Sequence, residues 1–143
     1  MSVADRAEAI ARSWIGTPYA HQASVRGAGS DCLGLFRGIW RDLYDAEPCA
    51  IPAYTADWTE SGTQEPLWRG LAALMPTRPA DAAGVGDVIL FRIKSGAVAK
   101  HLGIRSRNGL IHAYWGHGVI ESRYGMSWAR RAVASFAFPD RSE

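Results

Sequence analysis

The chain has 143 residues and a formal net charge of +2, enough for one domain over 1–143 with a real core, and too weak a field to point to nucleic acid. Its two cysteines, Cys32 and Cys49, are too few for a disulfide framework and do not form a CxxC pair, so reduced thiols made in the cytoplasm are expected. No run approaches the roughly 20 apolar residues that span a bilayer, and charges interrupt "MSVADRAEAIARSW", so neither membrane insertion nor a signal peptide is expected.

Ser2 and Asp5 have the spacing of a capping box, followed by Val3, Ala7, Ile10 and Trp14 at helical spacing. Gly16, Thr17 and Pro18 end this first helix, and a Gly/Ser-rich loop, "HQASVRGAGS", follows. A second helix is predicted over about Asp31 to Tyr44, with Leu35, Phe36, Ile39, Trp40 and Leu43 as its apolar stripe. Cys32 falls on that stripe. Gly34 and Gly38 share a face, and their cost in helix propensity implies close approach by another backbone. Residues 46–64 read as loop, and Pro66 opens a third helix carrying Leu67, Leu71 and Leu74.

From Gly86 the pattern changes to short β-type segments: "DVILFRI", "KHLGIRS", "GLIHAYW", "GVIESRY" and "RAVASFAF". Helices first and strands second predict an α+β fold with an antiparallel sheet.

The chemistry-bearing residues centre on Cys32. A free thiol has a pKa near ~8.5, so little is thiolate at neutral pH. A helix N-terminus and a nearby imidazolium both lower it. Cys32 gains the first if Ser30 or Asp31 is the N-cap, although the Asp31 carboxylate opposes a thiolate unless it points elsewhere. His101 and His112 lie on consecutive predicted strands; His21 and His117 lie in loops. A four-residue loop over 105–108 sets His101 opposite His112. A tight Asn108-Gly109 turn instead pairs His112 with Arg105 and leaves His101 about 13 Å along the sheet. Taken alone, a cysteine on an apolar stripe is more often core than nucleophile. Zinc spacing is lacking, and "RGAGSD" lacks the ending of a phosphate-binding loop.

"GTPYAHQASVRGAGSDCLGL", "GDVILFRI", "KHLGI" and "LIHA" together resemble the NlpC-type cell-wall cysteine peptidases, a papain-like group, over about residues 5 to 138. Within it the resemblance is to the small peptidases of phage tails and gene-transfer agents. It implies a papain-like NlpC fold, with N-terminal helices packed on a C-terminal antiparallel β-sheet. By position it implies Cys32 as nucleophile, His101 as general base and His112 as the residue that orients it. Tyr19 matches an aromatic residue whose hydroxyl sits beside the nucleophile, and Asp31 a residue that meets the free amine of the peptide stem. His21 would line the cleft. Leu33 and "HQAS" depart from the family pattern, in the substrate cleft.

The implied reaction is hydrolysis of an amide in peptidoglycan stem peptides, in many relatives the D-γ-glutamyl–meso-diaminopimelate bond, with no metal or organic cofactor. The implied partners are tail hub or tip proteins of a phage-like particle that carries the domain to the wall. Two alternatives stand beside this: a non-enzymatic tail component, and an amidase or acyltransferase of the same superfamily.

Overall fold

The computed structural model of the chain describes residues 1–48 and 65–141; Cys49 and the rest of 49–64, part of the expected loop, lie outside them. Helix α1 spans Val3–Ser13 and starts as its sequence requires: the Ser2 hydroxyl accepts a hydrogen bond from Asp5 N at 3.1 Å. The "HQASVRGAGS" segment is more ordered than a loop, since Ser24–Val25 (β1) and Gly29–Ser30 (β2) pair as a small hairpin. Helix α2 spans Cys32–Tyr44, with Asp31 as its N-cap. Helix α3 spans Pro66–Leu74, with proline in its first turn as expected.

The two glycines of α2 mark close approaches. A Cβ at Gly34 would lie 1.9 Å from the Ala23 carbonyl oxygen, and one at Gly38 would lie 2.0 Å from the Trp14 ring. The first contact presses the loop before α2 onto its first turn; the second locks α1 to α2.

Six strands form one antiparallel sheet in the order β3-β8-β4-β5-β6-β7. They are β3 (Thr77–Arg78), β4 (Val88–Phe91), β5 (His101–Arg105), β6 (Leu110–Tyr114), β7 (Gly118–Ser122) and β8 (Ala132–Phe136). A short helix, α4 (Met126–Ala129), lies between the last two. The segments after Gly86 are thus the strands expected of them. Of the six strands of this sheet β3 was not anticipated, two residues that add an edge to β8. No described helix is long and apolar enough to cross a membrane.

The core lies between α2 and the sheet. Leu35, Phe36 and Ile39 of α2 are fully buried in one cluster with Val88, Leu90, Leu102, Ile104, Ile111 and Phe136. Every residue of β4 is buried, because its other face carries a smaller cluster, Ile89, Phe91 and Leu110, backed by Tyr124 and Trp128. That second cluster is where the histidines emerge.

Candidate functional site

Cys32 is the first residue of α2, in the turn where backbone N–H groups lack helical partners. Its sulfur lies 3.5 Å from the Lys100 carbonyl oxygen, and the Leu102 N–H also reaches it. The thiol therefore sits at the head of β5, against the backbone on both sides of His101. It is half-buried.

Asp31 makes this turn. Its Oδ1 accepts from Gly34 N at 2.8 Å and its Oδ2 from Gln22 N at 2.6 Å. One carboxylate thus caps α2 and ties down the preceding loop. At 1% exposure it is turned inward, with both oxygens engaged by backbone. His21 lies above it, Nδ1 4.0 Å from Oδ2, with a 56% exposed side chain.

Burial pushes the Cys32 thiol up to about 12, and the Asp31 carboxylate adds to this; the N–H groups of Leu102, Leu33 and Cys32 pull the other way. Burial also holds His101 down to about 3, helped by His112. Burial thus favours a neutral thiol and a neutral imidazole, and Asp31 adds to the first. The N–H groups of Leu102, Leu33 and Cys32 are what favour the thiolate.

His101 Nε2 lies 2.8 Å from His112 Nδ1. Neither expected register brings them together. Ile104 pairs with Ile111 and Arg105 with Leu110, so the hairpin turns at Arg107-Asn108, between the two alternatives. Ser106 N donates to Gly109 O at 2.8 Å, and Gly109 N donates to Ser106 Oγ at 2.9 Å. Tertiary contacts hold the turn there: Glu8 of α1 accepts from Arg107 N at 2.7 Å, and Ser106 Oγ donates to Glu121 of β7 at 2.6 Å. Gly109 serves close packing: a Cβ there would lie 2.0 Å from the Ser122 carbonyl oxygen.

Carried one step further, this register sets His112 against Gly103. His101 is then a diagonal neighbour on the same face, within reach of a long side chain. Gly103 is what allows the reach. A Cβ there would come within 3.0 Å of the His112 Cβ and 2.7 Å of Leu110 Cδ1. The empty space above Gly103 admits the His112 ring.

The pair is enclosed by aromatic rings. Trp128 of α4 stacks on His101 at 5.5 Å between centroids and meets His112 edge-on at 4.9 Å. Phe91 and Tyr114 close two further sides. Burial holds His112 down to about 4, with His117 adding to it. On its far side His112 Nε2 lies 2.7 Å from Ser122 Oγ. Tyr19 is half-buried, and burial, Cys32 and Asp31 push its phenol up to about 12, so it lies near the thiol and keeps its proton. The sequence reading missed Gly103, Ser122 and Trp128. Only Gly103 left a signal, as the glycine two places after a strand histidine. No group of three or more metal-binding side chains occurs among the described residues.

No family model matches the chain. In sequence it is 32% identical over 112 residues to the probable endopeptidase NlpC of Escherichia coli K12, across 78% of this chain and 62% of that protein's length. In structure it resembles the NlpC/p60 domain of the peptidoglycan hydrolase SagA, with a TM-score of 0.67 at 19% identity, covering 94% of this chain and 98% of that one. NlpC1 from Trichomonas vaginalis gives a TM-score of 0.70 at 18% identity, over 96% of this chain and 44% of the other. The α+β architecture is therefore the NlpC/p60 fold. The chain spans less than two thirds of the sequence relative it matches, and the solved structures share its fold.

Proposed function

We propose that this chain is a cysteine peptidase of the NlpC/p60 peptidoglycan hydrolases that cleaves an amide in the stem peptide. The observation that carries the reading is the position of Cys32. It stands at the amide-rich end of α2 against the β5 backbone flanking His101, whose Nε2 is held 2.8 Å from His112.

The chemistry follows from those atoms. His112 engages His101 Nε2, so Nδ1 is the ring nitrogen left to serve the thiol. His101 takes the Cys32 proton as sulfur attacks the carbonyl carbon, so the two charges form together and stabilise one another. The Cys32 N–H, at the helix terminus, stabilises the oxyanion. The Tyr19 phenol, protonated throughout the working range, supplies the second donor. His101 then gives its proton to the leaving amine, and water hydrolyses the thioester.

The bond we propose is D-γ-glutamyl–meso-diaminopimelate, on the sequence resemblance alone. The same resemblance supports delivery as a tail component of a phage or gene-transfer particle, where tethering beside the wall replaces intrinsic wall affinity. The test is digestion of purified peptidoglycan by the wild type, Cys32→Ala and His101→Ala, with masses of the products. New amino termini within the stem are expected from the wild type, with a loss of at least about 10³-fold in both variants. Equal activity in all three would overturn the reading. Release of a different acyl group would move it to an amidase or acyltransferase.

A further inference from the structure

The contacts that begin at His101 do not end at His112. They continue through His112 Nε2 to Ser122 Oγ at 2.7 Å. We infer that Ser122 is a positioning residue: by accepting the His112 Nε2 proton it sets the direction in which both imidazoles are protonated, and so keeps His101 Nδ1 bare toward Cys32. The inference rests on the reading of His101 as the base for Cys32.

A neutral imidazole has one N–H and one bare nitrogen. Two rings in series therefore have only two consistent arrangements. In the first, His101 Nε2–H donates to His112 Nδ1, His112 Nε2–H donates to Ser122, and His101 Nδ1 is bare. In the second every proton is reversed. The Ser122 hydroxyl donates to His112, His112 donates to His101, and His101 presents an N–H to the thiol. Only the first can take a proton from sulfur.

His112 is fully buried, so neither of its ring nitrogens can turn to bulk water for a partner. Ser122 is only partly buried, and its own proton can go to solvent when its oxygen accepts. The first arrangement satisfies both groups. It also needs no proton relay: when His101 takes the thiol proton, its Nε2–H already points at His112, which stays neutral.

The placement comes from strand pairing. Leu110 is opposite Ser122 and His112 opposite Ile120, so Ser122 is a diagonal neighbour of His112 on one face. The same diagonal step joins β5 to β6 and β6 to β7, and one polar side chain from each strand forms the row 101, 112, 122.

The test is nitrogen-15 NMR of the imidazoles in the full chain, with steady-state kinetics on wall fragments. Wild type is expected to hold both histidines as Nε2–H tautomers at neutral pH. Ser122→Ala should give mixed tautomers, with kcat down about 3- to 10-fold, the worth of one net hydrogen bond, and KM unchanged. Ser122→Thr keeps the hydroxyl and should restore both. An unchanged tautomer pattern in Ser122→Ala overturns the inference, as does a pattern that Ser122→Thr fails to restore. If the tautomers shift as expected but Cys32→Ala digests wall as well as the wild type does, the positioning role stands and the peptidase reading fails.

Discussion

Cys32 is held by bonds that a short stretch of chain makes with itself, whereas His101 is held by side chains arriving from separate strands. On the helical side Asp31 bonds Gln22 N and Gly34 N, all within thirteen residues of chain. On the sheet side His101, His112 and Ser122 come from β5, β6 and β7. The local half is anchored to backbone, so its geometry depends on one carboxylate and one helix. The distributed half depends on a register, and an error of one pairing step would separate its members. Precision at the base is thus bought by the packing of the whole sheet, and precision at the nucleophile by a cap.

The comparison breaks most visibly at Gly103. Gly103→Ala places a Cβ 3.0 Å from the His112 Cβ, so the two rings should part. Wall digestion should fall about 10- to 100-fold and stability by about 1–3 kcal/mol, read by activity and urea unfolding together. Retention of full activity would mean the histidine pair does not depend on that gap.

The helical half is sharpened by two substitutions at one position. Asp31→Ala removes the cap and should cost about 0.5–2 kcal/mol, measured by thermal unfolding. Asp31→Asn keeps an accepting oxygen but removes the charge. The carboxylate opposes a thiolate, so its loss lowers the thiol pKa, and the onset of iodoacetamide alkylation should move to lower pH. An onset moved to higher pH would show that the charge acts on the thiol in the opposite sense.

The smallest expected effect concerns the aromatic enclosure. His101 and His112 are held at about 3 and about 4, below their usual 6.5. Between those limits the unfolded chain binds more protons than the folded one. Stability is therefore fully present above about 6.5 and falls as pH drops through the window toward 3. Trp128→Ala admits water to both rings, raises both values and narrows the window. Urea midpoints at pH 7 and pH 5 should differ less in the variant than in the wild type.

Much of this was legible residue by residue. Ser2 and Asp5 predicted the start of α1, Asp31 was one of two expected caps for α2, and Gly34 predicted close approach by another backbone, whereas the space at Gly38 takes the Trp14 ring. The caps are short-range effects, decided within one turn of chain, whereas the glycines mark a contact without naming its partner. The strands were legible because alternation and β-branching are also local. The small hairpin β1–β2 was not, because its pairing serves to seat the loop on α2. The turn at Arg107-Asn108 was not, because the Asn108-Gly109 signal is overridden by Glu8 from one end of the chain and Glu121 from the other.

The sequence by itself determined the elements, their order, the thiol at a helix N-terminus and two histidines on strands of matching parity. The tertiary structure alone decided that those histidines touch, that Ser122 completes their row and that Trp128 covers them. Local propensity acts over a few residues, whereas a register is chosen by the sum of contacts on both faces of a sheet, and those contacts come from the whole chain.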